Sequence, residues 1–272
     1  MSRYESVKRD GLARIGAYVE GERSVSLPAA LDTGTLFPAL QERPFSNVPL
    51  GADETFVRDY FSPGEGQPVA VHPLAVSAKS GDCVLVANWH TAQKNPRNYA
   101  TWLAVLKESL PPDTAWYAPA SALPSTACLL VYSGFDLFDY RAVDLASAQE
   151  QFCLPEGEFP ASMMETAVCG CEGCREGDLA RHNRLALDRE LALVRHYIEA
   201  GRLRELMESR CRADAAQVSI LRFLDRNYAL MERFLPVVRA VPMRANTAES
   251  QDRAEIRRFA DRVIERFVPT RT

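Results

Sequence analysis

Three of the seven cysteines fall within six residues, in Cys169-Gly170-Cys171-Glu172-Gly173-Cys174. Thiols so close together on one loop are metal ligands or redox groups. In a reducing compartment such clusters take those roles more often than they form disulfides. Gly170 and Gly173 let the backbone fold round a small ion. Zinc takes four N or S donors at tetrahedral corners, so three cysteines call for one more, and a histidine suits. His182 and His196 both follow. His182 begins an expected helix, from which its ring can reach back to the loop. His196 lies roughly 20 Å along the same helix at 1.5 Å rise per residue. The expected zinc ligands are therefore Cys169, Cys171, Cys174 and His182. An iron–sulfur cluster is the chemical rival, since three cysteines and a histidine can also hold one. Four protein ligands leave no open position, so the metal is expected to staple loop to helix and take no part in chemistry. Cys83, Cys128, Cys153 and Cys211 are scattered and mostly flanked by apolar residues, and read as buried thiols.

The elements on either side must hold that loop. Beyond it the chain reads as helix. "RLALDRELALVRHYIEA" has apolar residues three and four apart and stops at Gly201, and "RLRELMESRCRADAAQVSILRFLDRNYALMERFL" carries the pattern to Pro236. A less apolar linker and a short helix over "DRAEIRRFADRVIERF" follow. Arg202, Arg204, Arg210, Arg212 and Arg222 form a candidate phosphate surface on these helices, whose hold on a nucleic acid would weaken steeply with salt. The alternative is a solvated face paired with Glu199, Glu205 and Glu208 through i,i+3 and i,i+4 contacts.

Ahead of the loop, residues 4–30 read as short extended segments joined by turns, and 31–68 as loop with a short helix around "ADETFVRDYF". Strand and helix then alternate. "PVAVHPLAV", "DCVLVANW", "TAWYAPA" and "FDLFDYRAV" read as strands; "NPRNYATWLAVLKESLPP" and "LPSTACLLVYSG" read as helices. This alternation predicts βαβ units and a parallel sheet. Residues 146–168 read as loop.

The 272 residues are 47% hydrophobic and 25% charged, with a formal net charge of −4. No global basic field attracts nucleic acid, so any such binding needs a local basic face. No apolar run is long enough to span a membrane, and "MSRYESVKRDG" lacks the apolar segment of a secretory signal. A cytoplasmic location with no membrane partner is expected.

Taken together, the cysteine cluster, the His182-Asn183 pair and "EAGRLRELMESRCRA" resemble the zinc subdomain of tRNA-guanine transglycosylases, especially the archaeal branch. In that family three cysteines and a histidine hold one zinc, and the histidine stands in an HN pair ahead of a "GRL.EL" helix. Counting back from Gly201 lands on His182. The loop before that histidine is shorter here, which keeps His196 as the alternative. "GFDLFD" (Gly134 to Asp139) is similar to the family's motif at the C-terminal end of a (β/α)₈ barrel strand, where the catalytic groups of such barrels sit. The resemblance implies Asp139 as a nucleophile toward a ribose anomeric carbon, supported by Asp136. The alternative is that both carboxylates cap the next segment or pair with Arg141. It further implies that Asn88 or His90 touches the base and that Trp89 stacks on it; the plainer reading makes Trp89 and His90 strand-end residues.

Two departures from the family shape the expected fold. The early "Asp-Ser-Gly-Gly" loop, which supplies a second catalytic aspartate, has no counterpart. "VLVANW", "AWYAPA" and "FDLFD" match the last three barrel strands, and the roughly eighty residues before them are too few for five full βα units. The expected fold class is α/β: a truncated or remodelled (β/α) TIM-type barrel over 1–150, a zinc-binding helical subdomain over 151–242, and a C-terminal linker and helix over 243–272. This form resembles the transglycosylase-like N-terminal half of archaeosine synthase, through "KRDGLARIG", "NWHTAQKNPR", "YAPASALPSTACLLVYSGFDLFD" and "RFADRVIERFVP". That resemblance implies a zinc-bearing tRNA modification subunit that binds tRNA or a separate catalytic or RNA-binding subunit, with a homodimer as a further expectation. Its alternative is an active transglycosylase that exchanges guanine for a 7-deazaguanine base through Asp139.

Overall fold

Antiparallel pairing comes first along the chain, because two glycines supply left-handed turns. β1 (Ser2–Asp10), β2 (Ala13–Glu20) and β3 (Arg23–Leu27) form a meander. Gly11 (φ +66°) and Gly21 (φ +61°) sit in the two-residue connections, where positive φ is needed. The structure is a computed structural model and describes residues 2–37, 68–74, 81–166, 169–239 and 241–269. The short helix expected over 52–61 lies outside them.

The alternating region forms the parallel sheet that its pattern predicts. β4 (Ala29–Ala30), β5 (Val69–Val71), β6 (Cys83–Val86), β7 (Ala115–Ala118) and β8 (Leu137–Phe138) lie in the order β4-β8-β7-β6-β5, every pair parallel. "CVLV" and "AWYA" are buried at every position, as strands covered on both faces must be. Val84, Val86, Trp116 and Phe138 point to one apolar cluster; Leu85, Tyr117 and Leu137 point to another, with Tyr4 and Tyr18 of the meander and Phe37. A short helix, α1 (Thr33–Leu36), follows β4. The connecting helices are α2 (Trp89–Ala92), α3 (Pro96–Ser109) and α4 (Pro124–Tyr132). Asn95 caps α3 by accepting from the Asn98 N–H, with Pro96 at the first helical position where no N–H is missed.

Three stretches differ from their sequence reading. The strand in "FDLFDYRAV" ends at Phe138, and Arg141–Ala148 is a helix, α5. Asp139 stops the strand by accepting from the Arg141 N–H, and Val143 and Ala146, three apart, turn inward. Residues read as loop contain a hairpin, β9 (Gln151–Leu154) with β10 (Gly157–Pro160). The long helical pattern beyond 201 is broken. α6 (Glu172–Glu176) and α7 (Leu179–Glu199) precede α8 (Leu203–Arg210), α9 (Ala215–Arg226) and α10 (Tyr228–Phe234). Asp214 restarts the chain as α9 by accepting from Ala216 N. The last helix is α11 (Ala254–Arg266).

The first apolar cluster runs without a break from the sheet through α4 to Leu187, Leu191 and Val194 of α7 and Leu221 and Leu224 of α9. The 1–150 and 151–242 segments therefore share one core. Cys83, Cys128, Cys153 and Cys211 are all buried, as expected. Among the described residues no helix is long and apolar enough to cross a membrane.

Candidate metal centre and strand-end carboxylates

The ligand atoms of Cys169, Cys171, Cys174 and His182 all lie within 4.8 Å of one another. His182 Nδ1 is 3.7, 3.3 and 3.2 Å from the three sulfurs in chain order. A tetrahedral metal with bonds of about 2.3 Å to sulfur and about 2.1 Å to nitrogen sets S and N about 3.6 Å apart, so the four groups fit one ion. The second ring nitrogen, Nε2, is 3.1 Å from the Cys153 carbonyl. A proton on Nε2 donates to that oxygen and leaves the Nδ1 lone pair facing the thiols, the usual outer support of a metal-bound histidine. Burial pushes the His182 pKa down, which favours the neutral ring a metal requires. Phe152 stacks on the imidazole, ring centres 3.9 Å apart at 11°.

The local sequence explains this geometry. Cys171 caps α6, its sulfur accepting from Cys174 N at 3.4 Å. Gly177, at φ +70°, ends that turn, and Asp178 caps α7 by accepting from Arg181 N. Gly173 lies against the start of α7. A Cβ there would stand 2.3 Å from His182 N and 2.7 Å from its Cα, so only glycine fits. Arg181 joins α7 to α6 by binding Glu172 and Glu176.

The HN pair has two jobs. Asn183, fully buried, accepts from Cys153 N and donates to Gln151 O and to Ser147 Oγ, each at 2.8 Å. It thus fixes the strand whose carbonyl orients His182. Residue chemistry alone gave no reason to single out Asn183; its place beside His182 was the signal. His196 is fourteen residues farther along α7, about 21 Å away by helical rise, and stays outside the cluster.

The two aspartates do not meet. Asp139 follows β8 at the C-terminal edge of the sheet and is 3% exposed. Its carboxylate accepts from Tyr117 OH at 2.6 Å, Ala120 N at 3.0 Å and Arg141 N at 3.0 Å. Burial raises its pKa, and the Tyr117 and backbone hydrogen bonds oppose the rise. Asp136 sits at the other end of the same strand. It pairs with Arg14 at 2.9 and 2.7 Å and accepts from Trp116 N at 2.8 Å and from Tyr4 OH at 3.3 Å. The supporting role beside Asp139 that the resemblance implied for Asp136 is corrected: Asp136 ties β2 to the sheet.

The candidate base contacts separate in the same way. Trp89 is fully buried between Tyr99 and Phe135, ring centres 4.8 and 5.0 Å away, so no base can stack on it. Asn88 is buried at φ +55°, a left-handed conformation that asparagine tolerates, and its carbonyl accepts from Thr91 N. His90 alone of the three is exposed; partial burial and then Lys94 hold its pKa low. His72, which the sequence did not flag, follows β5 at this edge. Its Nδ1 accepts from Leu74 N at 3.2 Å, and burial pushes its pKa down to about 4.

The expected phosphate surface on α8 is also corrected. Arg204 is 6% exposed, with Glu208 at 2.9 Å, Asp225 at 2.5 and 2.7 Å, Tyr132 OH at 3.0 Å and the Glu249 carbonyl at 3.0 Å. Arg210 is bidentate on Glu190 at 2.7 and 2.8 Å, and Arg202 holds Glu205 at 2.8 Å. Arg212 and Arg222 converge on Glu249. Their hydrogen bonds, Arg222's first and then the carboxylate's own backbone N–H, hold Glu249 at about 2. Guanidinium groups engaged in this way brace the helices against one another.

No family model matches the chain. It is 33% identical over 293 residues to archaeosine synthase of Haloferax volcanii, which covers 97% of this chain and 50% of that protein. It is 34% identical over 206 residues to archaeosine synthase subunit alpha of Methanosarcina acetivorans, covering 70% of this chain and 33% of that one. To the tRNA-guanine(15) transglycosylase of the same organism it is 28% identical over 276 residues, covering 96% and 50%. The chain therefore belongs to the tRNA-guanine transglycosylase superfamily. Its identity to the two archaeosine synthase proteins is higher than to that transglycosylase. It spans about half the length of the archaeosine synthase that it matches end to end.

Proposed function

We propose that this chain is the zinc-bearing, tRNA-binding component of a tRNA modification enzyme of the archaeosine synthase type, and that it does not itself exchange a base. One observation carries the second clause. The Asp139 carboxylate is taken up by Tyr117, Ala120 and Arg141, and the carboxylate expected to support it is locked to Arg14 at the far end of β8. A nucleophile needs an accessible lone pair and a partner to manage protons; Asp139 is 3% exposed, and Asp136, the partner expected for it, is held by Arg14 at the other end of the strand. Similarity to archaeosine synthase supports the first clause.

Zinc is the proposed metal, because three thiolates and one imidazole suit it and the sulfur–nitrogen spacings of 3.2–3.7 Å match its bond lengths. The closed ligand set gives it a structural task. Cys171→Ser should lose about one zinc per chain and loosen α6 and α7, because structural zinc contributes folding energy directly. The fold is proposed as a truncated barrel: β4, the first parallel strand, lies beside β8, the last, as the first and last strands of a closed barrel do.

A second polypeptide carrying the catalytic or further RNA-binding part belongs to this proposal. The Methanosarcina acetivorans relative is named as a subunit. α11 and the Phe267 that follows it leave Phe259, Ile264 and Phe267 between 69 and 80% exposed, an apolar face for such a partner or for a second copy of the chain. Retention of a tRNA transcript by the purified, zinc-loaded chain tests the reading. Binding at low salt supports it; no binding at low salt overturns it.

Active exchange is the second reading. Asp139 stands at the C-terminal end of a parallel strand, the edge where α/β sheets carry their chemistry. It requires Tyr117 and Arg141 to release the carboxylate.

A further inference from the structure

We infer that an RNA phosphate backbone docks on Arg226 and Arg257, in the groove between α9 and α11, and on Arg97 of α3, which lies over the Phe223 ring that Arg226 also covers. The inference rests on the tRNA-binding reading and moves its contact surface away from α8. Among the described residues none of these three guanidinium groups has a carboxylate within 4.0 Å, whereas exposed Arg181 and Arg184 are paired. All three are exposed.

Each is instead laid on an aromatic ring. Arg97 of α3 and Arg226 of α9 flank the same Phe223 ring, 6.0 and 5.5 Å from its centre. Arg257 of α11 lies 4.5 Å from the centre of Tyr228. Stacking fixes the plane of a guanidinium while leaving its edge N–H groups outward, and those groups match a phosphate bidentately. Arg226 and Arg257 line one depression of about 670 Å³ with Arg222, Asp225 and Asp252. Asp225 is already held by Arg204, so its charge is spent inside the fold. Asp252 is then the one lining carboxylate that no arginine holds among the described residues, and the groove stays positive on a chain of net charge −4. This basic, aromatic-backed strip suits a sequence-independent hold on a polyphosphate backbone.

The test measures retention of an unmodified tRNA transcript against salt. It compares the full chain with R97A/R226A/R257A, with the charge-retaining R97K/R226K/R257K, and with R3A/R23A/R184A, which removes the same charge elsewhere. Three lost phosphate contacts flatten the plot of log Kobs against log salt by about 2 to 3, at 0.7–0.9 per phosphate. Across a fourfold rise in salt the full chain should thus lose about 20- to 40-fold more affinity than the alanine variant. The lysine variant should keep most of the slope, and the distant triple all of it. Equal slopes for the full chain and R97A/R226A/R257A overturn the groove and leave the tRNA-binding reading standing. A full chain that retains no tRNA at low salt overturns both.

Discussion

Asp136→Ala should destabilise the protein more than any change at Asp139. The Arg14 and Asp136 side chains are 3% and 1% exposed, so the substitution strands a guanidinium out of water. Arg14 keeps its hydrogen bonds to the Pro112 and Thr114 carbonyls, which satisfy part of its N–H set but none of its charge. Removing one partner of a buried pair costs about 3–5 kcal/mol. The Trp116 N–H also loses its acceptor inside the sheet, a loss of about 1–3 kcal/mol that partly overlaps the first. A total of about 4–6 kcal/mol is a large part of the roughly 5–15 kcal/mol by which domains are stable. Denaturant unfolding reads it as a drop in midpoint at constant slope. Asp136→Asn, which keeps an acceptor for Trp116, should cost less. The R14M/D136L double variant, which removes both charges, should cost less than the sum of the two single changes. A loss under about 1 kcal/mol for Asp136→Ala would refute the structural role and reopen a catalytic one.

Asn183→Ala should weaken metal binding about 10- to 100-fold in a chelator competition, because it frees the strand whose carbonyl orients His182; unchanged affinity contradicts that link. Arg204→Ala should cost about 3–5 kcal/mol of stability while the folded fraction retains tRNA as before, and lost retention at full stability would restore the α8 phosphate surface. Glu249 titrates near 2 in the fold against 4.5 for a free glutamate. A depressed carboxyl pKa contributes stability that is whole above about 4.5 and is lost as pH falls through about 2. Glu249→Gln should therefore flatten the acid limb of stability against pH, and an unaltered limb would rule out this linkage.

What could be read from sequence followed how local each interaction is. The cysteine–histidine cluster was legible because four donors within fourteen residues must share a neighbourhood. The parallel sheet was legible because its strands are unbroken apolar runs between amphipathic helices. Asp136 and Asp139 misled because the resemblance gave them one task, whereas a strand rising about 3.3 Å per residue carries residues three apart about 10 Å from each other. The partner that decides Asp136, Arg14, is 122 positions away. The arginines of α8 misled for the same reason: Asp225, Glu190 and Glu249 come from other elements, 20 to 45 positions off. The hairpin over 151–160 was hidden because Asn183 supplies its fastening. Trp89 sat in a motif that suggested a base platform, but its burial depends on Tyr99 and Phe135.

Base exchange tests the central claim most directly. The purified, zinc-loaded chain is incubated with tRNA and labelled guanine or 7-cyano-7-deazaguanine, beside Asp139→Asn. The account predicts tRNA bound to both proteins and no label entering it. Label transferred by the chain and abolished by Asp139→Asn would contradict it and make Asp139 a working nucleophile.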